Sequence, residues 1–292
     1  MDWLIKACVL IVSIFVFFKI ISLYTSSQKN ILKTPGKFPI LFTGFIANVA
    51  DTLGLGSFAV VVALNNRWKF IEDKKLPGTL NAHSVLPAML QSLLFLNFVE
   101  MDITLLIIFV LAACAGGLFS GILVAKLDKQ SIRLLMTFGF FCIGLLIFAN
   151  QLHLLPVGGD KTALPITKML IGIPAMMLAG MLPAIGAGLY VPIQVILFFL
   201  GLSPLVAFPI MTTAGAIVQS TTAYAFVVKK EIAVEESLLL SFSGLIGVAV
   251  AVPMITFVNL VTLRWLLLFI VFYNATMLWK AYRREKVTFA EA

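Results

Sequence analysis

The chain has 292 residues, of which 61% are hydrophobic and only 12% charged, with a mean hydropathy of +1.08; these values exclude a soluble globular domain and describe an integral membrane protein. The net charge of +8 would suit nucleic acid in a soluble protein, but here Lys and Arg cluster between apolar stretches, as membrane topology requires, so no nucleic-acid partner is expected. Cys8, Cys114 and Cys142 lie in apolar stretches without metal-ligand spacing, which argues against a disulfide framework and against a metal site.

Apolar stretches long enough to cross a hydrocarbon core of about 30 Å recur along the chain and predict an all-α polytopic membrane bundle. The first, Trp3 to Tyr24, is too long for a signal-peptide core and predicts a retained anchor helix, with a cytoplasmic linker reaching residue 39. Further apolar segments run over 40–64, 79–98, 103–125, 132–152, 165–201, 205–228, 237–258 and 262–281. Two are interrupted. Asp51-Thr-Leu-Gly-Leu-Gly-Ser57 breaks the first, and Gly180-Met-Leu-Pro-Ala-Ile-Gly-Ala-Gly-Leu-Tyr-Val-Pro192 breaks 165–201, which is also too long for one span.

A slide of 132 residues places Gly54 on Gly186, Gly56 on Gly188 and Phe58 on Tyr190, and a slide of 128 places Gln91-Ser92 on Gln219-Ser220. Near 127, Gly117-Leu118 falls on Gly244-Leu245. The common order of these matches predicts a duplication, with one repeat over 40–152, a second over 165–281 and a cytoplasmic tail over 282–292. If each broken segment crosses once, Lys and Arg divide 11 against 8 between the two faces; if each is a re-entrant hairpin, they divide 16 against 3. The positive-inside bias selects hairpins. Each repeat is then a hairpin plus three transmembrane helices, an odd number of passes, so the second is inverted relative to the first. The hairpin tips are expected near the midplane, in a cell-membrane protein with its N-terminus outside and its C-terminus cytoplasmic.

Non-helical backbone at membrane depth is tolerated where it is buried in protein or lines a watered cavity. In the second motif, Pro183 ends one arm, Gly186 and Gly188 permit the turn and a close approach, and Pro192 limits donor pairing in the next arm. Helix N-termini aimed at the cavity would suit an anion; alternatively, the glycines serve tight helix packing.

Gly186-Ala-Gly188-Leu-Tyr-Val-Pro192, followed by Ala207-Phe-Pro-Ile-Met-Thr212-Thr213, resembles the glycine-rich hairpin and Ser/Thr-bearing helix start of the sulfite exporter and sulfonate permease family, often called TauE/SafE. The likeness covers roughly residues 40 to 281. It implies a transporter of small, mostly sulfur-containing anions. The first hairpin departs from the family pattern, having Asp51, Gly54, Gly56 and Ser57 but no proline before Asn65.

Asp51 is the carboxylate that the hairpin arrangement places near the midplane, where an ionisable group is costly. It could carry a coupling proton or bind a cation such as sodium, or it could cap an arm beginning at Thr52. His83 could bind substrate or relay a proton, or pack at a helix end. Ser84, Thr212 and Thr213 could donate to anion oxygens, or bond to their own helix backbone. Gln91 and Gln219 sit at equivalent positions and either face the site or join helices. Asn48 and Ser57 are donors beside the first tip. Arg133 and Arg264 begin equivalent helices and either snorkel to headgroups or line a vestibule. Motifs for phosphate binding, zinc proteolysis, CxxC chemistry and a nucleophile elbow are absent, so no cofactor and no enzyme activity are expected. An intramembrane enzyme built on His83 and Asp51, or a non-transporting scaffold, are the competing readings; oligomeric state is not legible.

Overall fold

The computed structural model describes residues 2–26, 36–54, 56–96, 102–156, 158–257 and 260–290. Much of the expected linker (27–35), Leu55 at the first tip and the end of the expected tail (291–292) lie outside the described residues. Helices α1 (Asp2–Ser26), α2 (Lys37–Thr52), α3 (Ser57–Trp68), α4 (Leu76–Phe95), α5 (Ile103–Val124), α6 (Lys129–Gln151), α7 (Ile166–Met181), α8 (Tyr190–Leu200), α9 (Pro204–Val228), α10 (Val234–Ala251) and α11 (Leu260–Ala290) follow in order. Two 3-10 turns, Leu182–Ile185 and Val252–Phe257, extend α7 and α10. α11 continues as helix through the part of the expected tail that is described.

Several helix starts are set by capping side chains, which satisfy N–H groups that have no intrahelical carbonyl. Asp102 accepts from Thr104 N at 2.8 Å, Asp128 from Gln130 N at 3.0 Å, and Ser203 from Val206 N at 3.4 Å. At Asp128, which lies just before the span of α6, the Ser131 hydroxyl also donates and holds the carboxyl below the ordinary aspartate range.

Seven helices among the described residues are long and apolar enough to cross a membrane: α1, α5, α6, α7 with its 3-10 turn, α9, α10 and α11. α4 falls outside that set because it carries Asn81, His83, Ser84, Gln91 and Ser92, yet fifteen of its twenty residues are buried. α9, its packing partner, is 83% buried over its apolar window, against 22–44% for the other six spans. Polar side chains therefore concentrate on the two helices that protein covers most completely.

Each interrupted segment folds back on itself. Trp68, at the end of α3, packs edge-on against Phe42 near the start of α2, with ring centroids 6.3 Å apart. At the other break, Lys161 pairs with Leu202, Ser203 N donates to Lys161 O at 2.9 Å, and the Lys168 ammonium donates to Leu200 O at 2.7 Å. The start of α7 thus meets the end of α8.

The two hairpins open at opposite ends of the bundle. Beyond α3, Asp73 bridges Arg133 of α6 at 2.6 Å, and Lys74 bridges Glu231 between α9 and α10 at 2.7 Å. Arg133 also reaches Ala281 O of α11 at 3.4 Å. At the far end, Arg264 donates to Asn150 Oδ1 at 3.1 Å, beside the loop leading to Lys161. Had both broken segments been straight crossings, Lys74 and Glu231 would lie at opposite ends. The arms are unequal: α2 and α7 have 16 residues each, about 24 Å at 1.5 Å per residue, and α3 and α8 have 12 and 11. The first arms are therefore longer than tips at the midplane require.

The main helix contacts recur when α2–α6 are exchanged for α7–α11. α2 lies on α10 as α7 lies on α5; α4 lies on α10 as α9 lies on α5; α3 meets α11 as α8 meets α6; α4 pairs with α9 and α6 with α11. Glycines give the closest of these contacts. A Cβ on Gly44 would stand 2.4 Å from Leu240 O and one on Gly247 2.5 Å from Phe45 O, joining α2 to α10. On Gly116 and Gly180 the distances are 1.9 Å to Met177 O and 2.0 Å to Ala113 O, joining α5 to α7. Small residues let backbones approach where no hydrophobic driving force separates lipid from side chain. α1 lies across α4, α9 and α10 and is tied to the core by Ser13 Oγ and Ser220 Oγ at 3.2 Å.

Gly180→Ala should force α7 off α5, because the atom in the way is backbone. The expected loss is about 1–3 kcal/mol, as for other overpacked sites, read as a lowered Tm of the purified protein in detergent; an unchanged Tm would mean that the two helices are not in this register.

Candidate functional site

The first tip turns at Gly54 and Gly56, with φ of +87° and +80°, a region that side chains with a Cβ rarely enter. The second turns at Gly186, with φ of +73°, after the 3-10 turn that Pro183 helps to form. At Gly54, Gly56 and Gly188 a Cβ would meet nothing within 4 Å, whereas one at Gly186 would strike Met136. Three of the four tip glycines therefore border open space.

That space comprises two small cavities. One, of about 20 Å³, lies between the tips and is lined by Gly56, Phe58 and Ala59 from one hairpin and by Gly188, Tyr190 and Val191 from the other, with Phe140, Ile143, Leu267 and Val271 completing the wall. The other, of about 10 Å³, lies behind the first tip and has Asp51, Thr52, Gly54, Gln91, Tyr190 and Thr212 in its wall, with Phe95, Phe208 and Met211. Each is about the size of a single water. The space between the tips is mostly apolar and, in this conformation, too small for an anion such as sulfite, a departure from the watered, anion-suited cavity expected from the two glycine motifs.

Around Asp51 the polar contacts are closely specified. Oδ1 accepts from Ser57 N at 2.6 Å and Oδ2 from Gln91 Nε2 at 3.0 Å. The second N–H of Gln91 reaches Thr52 Oγ1 at 3.0 Å, while the Thr52 hydroxyl donates to Asn48 O at 2.8 Å. Gln91 Oε1 accepts from the Tyr190 hydroxyl at 3.0 Å. Asp51, Thr52, Ser57 and Gln91 are nearly inaccessible to solvent. A continuous chain of hydrogen bonds thus runs from the first tip through α4 to the second hairpin.

Two expectations about this region need correction. Asp51 does not cap an arm beginning at Thr52, because α2 ends at Thr52; it reaches across the turn to the first N–H of α3. For the same reason the N-terminus of α3 is not a free anion site: Asp51 already occupies it. The N-terminus of α8 differs. Tyr190 and Val191 line the space between the tips and carry its first N–H groups, Pro192 having none and Ile193 N bonding to Leu189 O.

The remaining expected residues are distributed as follows. Thr212 lines the cavity behind the first tip and donates to Phe208 O and Pro209 O. Thr213 lines neither cavity and accepts from Ser92 Oγ at 3.1 Å, joining α9 to α4. Ser84 donates to Leu80 O and lies 3.3 Å from His83 Nε2; His83 also contacts Thr79 O, and its ring lies 6.2 Å from that of Phe58. The pair packs behind the first tip, outside both cavities. Asn48 donates to Gly44 O, with its Oδ1 unpartnered, and Gln219 Oε1 is likewise buried without a partner. Pro183 contributes its carbonyl, which accepts from Asn81 Nδ2 at 2.8 Å. Arg133 holds Asp73 and Arg264 holds Asn150, so each fastens an end of the bundle.

Three polar residues escaped the sequence reading. Tyr190 closes the hydrogen-bond chain, Asn81 holds the second tip, and Asn274 donates to Ala59 O at 2.8 Å, holding α3 to α11. The available signal was an amide or phenol isolated within an apolar helix, the same signal that drew attention to Gln91. No family model, curated protein or solved structure matches the chain.

Proposed function

We propose that this chain is a membrane transporter of a small, sulfur-containing anion, working by alternating access between two inverted-topology repeats, each a re-entrant hairpin plus three helices. The observation that carries this reading is the meeting of two glycine tips, from hairpins that open at opposite ends, over a space faced by the N-terminus of α8. Such a terminus suits an anion, since its N–H groups and dipole both point at the ligand. The exchange symmetry of helix packing supports two repeats moving against each other around a fixed site. The class of anion rests on the resemblance of Gly186–Pro192 and Thr212-Thr213 to the sulfite exporter and sulfonate permease family. Orientation follows from the Lys and Arg bias, which puts the Asp73 end in the cytoplasm.

Loading an anion requires the tips to separate, because the present space holds about one water. The small cavity is also the one observation that favours a scaffold with solidly packed breaks. A cysteine at Gly188, where a Cβ meets nothing within 4 Å, separates the two readings. With Cys8, Cys114 and Cys142 replaced by serine, Gly188→Cys should react with a membrane-impermeant maleimide applied from either side in turn, faster or slower when sulfite or methanesulfonate is present. Complete inertness from both sides would leave the scaffold.

Asp51 is proposed as the coupling group. Both of its oxygens accept from N–H donors, which is not the oxygen cage that sodium needs, so the coupling ion proposed is a proton. In proteoliposomes, Asp51→Asn should abolish the pH dependence of anion uptake while sodium has no effect on either form. Uptake by the variant that kept the wild-type pH profile would remove Asp51 from the mechanism.

A further inference from the structure

Gln91 is committed at every polar atom. Its two N–H groups go to Asp51 Oδ2 and Thr52 Oγ1, and its carbonyl oxygen takes the Tyr190 hydroxyl. This orientation fits an ionised Asp51, which accepts at both oxygens. The position of an added proton is also constrained. Oδ1 faces the backbone N–H of Ser57 at 2.6 Å, a donor that cannot turn away, whereas the Gln91 amide opposite Oδ2 can turn; the relay therefore takes the proton on Oδ2, on the lone pair that faces Gln91. There its O–H would point at the N–H of Gln91, donor against donor. Half a turn of the Gln91 amide, with the Thr52 hydroxyl turning from Asn48 O to Gln91 Oε1, resolves the conflict: Oε1 comes to face the Asp51 O–H, and Nε2 comes to face the Tyr190 oxygen. Tyr190 then accepts where it had donated, and its own hydrogen is released.

Resting on the transport reading above, we infer that Gln91 is a rotating relay, which converts protonation of Asp51 into release of the Tyr190 hydroxyl as a donor to the anion between the hairpin tips. Tyr190 is placed for this role. It is the residue that lines both cavities, with Asp51 behind it and Gly56 and Gly188 in front. Gly215 of α9 leaves room for the hydroxyl: a Cβ there would stand 3.0 Å from Tyr190 Oη. In the ionised state the hydroxyl is held by Gln91 and the site offers the anion one donor fewer. In the protonated state the carboxylate charge is gone and a phenolic O–H is available. Proton and anion therefore load together, which is the condition for coupled movement.

Few other titratable groups bear on this switch. Among elements packed against α2, α3 carries Arg67 in its last turn, α10 carries Glu235 and Glu236 in its first turn, and α4 carries His83, which faces Thr79 and Ser84. Tyr190, on α8, is the titratable side chain within the Asp51 network itself.

The test has two arms on the full chain in liposomes. In the first, without ligand, infrared difference spectra are taken on acidification from about pH 8 to about pH 5. A protonated-carboxyl band lost in Asp51→Asn is expected, together with a tyrosine C–O(H) change lost in Tyr190→Phe. A carboxyl band with no tyrosine change, or no carboxyl band at all, overturns the relay. In the second arm the probe is methanesulfonate, whose charge is constant over this range. Wild-type affinity should rise about tenfold or more on acidification, the size expected for one added hydrogen bond to a charged group. Tyr190→Phe should bind more weakly at acidic pH and lose most of this rise, keeping only the part that loss of the Asp51 charge gives. Gln91→Met, which keeps the chain length and loses the amide, should likewise lose most of the rise. If Tyr190→Phe keeps the wild-type profile, Asp51 acts by its charge alone and the relay is wrong. If the wild type binds neither methanesulfonate nor sulfite at any pH, the transport reading fails, and the ligand-free spectra still decide the relay.

Discussion

Backbone that leaves the helix inside an apolar protein has no water to bond with, so its partners must come from the protein itself. That constraint organises the interior of this chain. Two segments break near their middles, and the polar groups that serve the breaks lie on the helix standing between them. α4 supplies Gln91 to Asp51 and Thr52 at one tip, and Asn81 to the carbonyl of Pro183 at the other. An α-helix so rich in amides and hydroxyls would be costly against lipid. It is stable here because α9, α10, α1 and the hairpins cover it.

The second requirement is closeness. Hairpins that end inside a bundle can be held only by neighbouring helices, and the glycine pairs on α2 and α10 and on α5 and α7 bring backbones into direct contact. In lipid the attraction between helices is van der Waals packing in place of the hydrophobic effect, so contact distance sets its strength. The glycines that line these interfaces and the glycines that form the tips have different work. Gly180 and Gly186 stand six residues apart in one motif, yet the first serves a helix contact and the second a turn. The two meanings of glycine in a membrane helix, packing and breaking, coexist here in adjacent turns.

Much of the frame was legible in the amino-acid order because it depends on bulk properties. Long apolar runs mark helices, and the distribution of Lys and Arg discriminates a hairpin from a crossing without any knowledge of contacts. The site was legible only in part. Asp51 and Gln91 stood out as polar groups in apolar surroundings, but their bond joins residues forty positions apart and depends on how α2 meets α4. Asp51 also lay at a position where helix start and helix end could not be told apart: its side chain caps α3, one turn of chain further on than its sequence neighbours suggest. Tyr190 was matched with Phe58 in the slide of 132 residues, and that match carries no sign of its hydroxyl. The hydroxyl that distinguishes it from Phe58 is the atom that completes the hydrogen-bond chain.

The proposed duplication leaves an asymmetry. Gln91 and Gln219 occupy matching places on α4 and α9, yet Gln91 is fully bonded and Gln219 Oε1 is buried with no partner. In the first hairpin Asp51 gives its carboxylate to α4; at the matching place in the second, Pro183 offers only a carbonyl, and α4 again supplies the donor. Both tips are therefore tied to α4 by hydrogen bonds, whereas α9 meets them through Phe208, Met211 and Thr212 and, beneath Tyr190, through Gly215. If α7 and α8 shift relative to α4, the bonds that must open are Asn81 to Pro183 and Gln91 to Tyr190, while the α9 contacts can slide. Apolar contacts lose little on sliding, whereas a buried amide that loses its partner carries the full desolvation penalty. The hydrogen bonds that would oppose separation of the tips are thus concentrated on one helix, and under the proposed relay a proton on Asp51 would act on one of them, Gln91 to Tyr190.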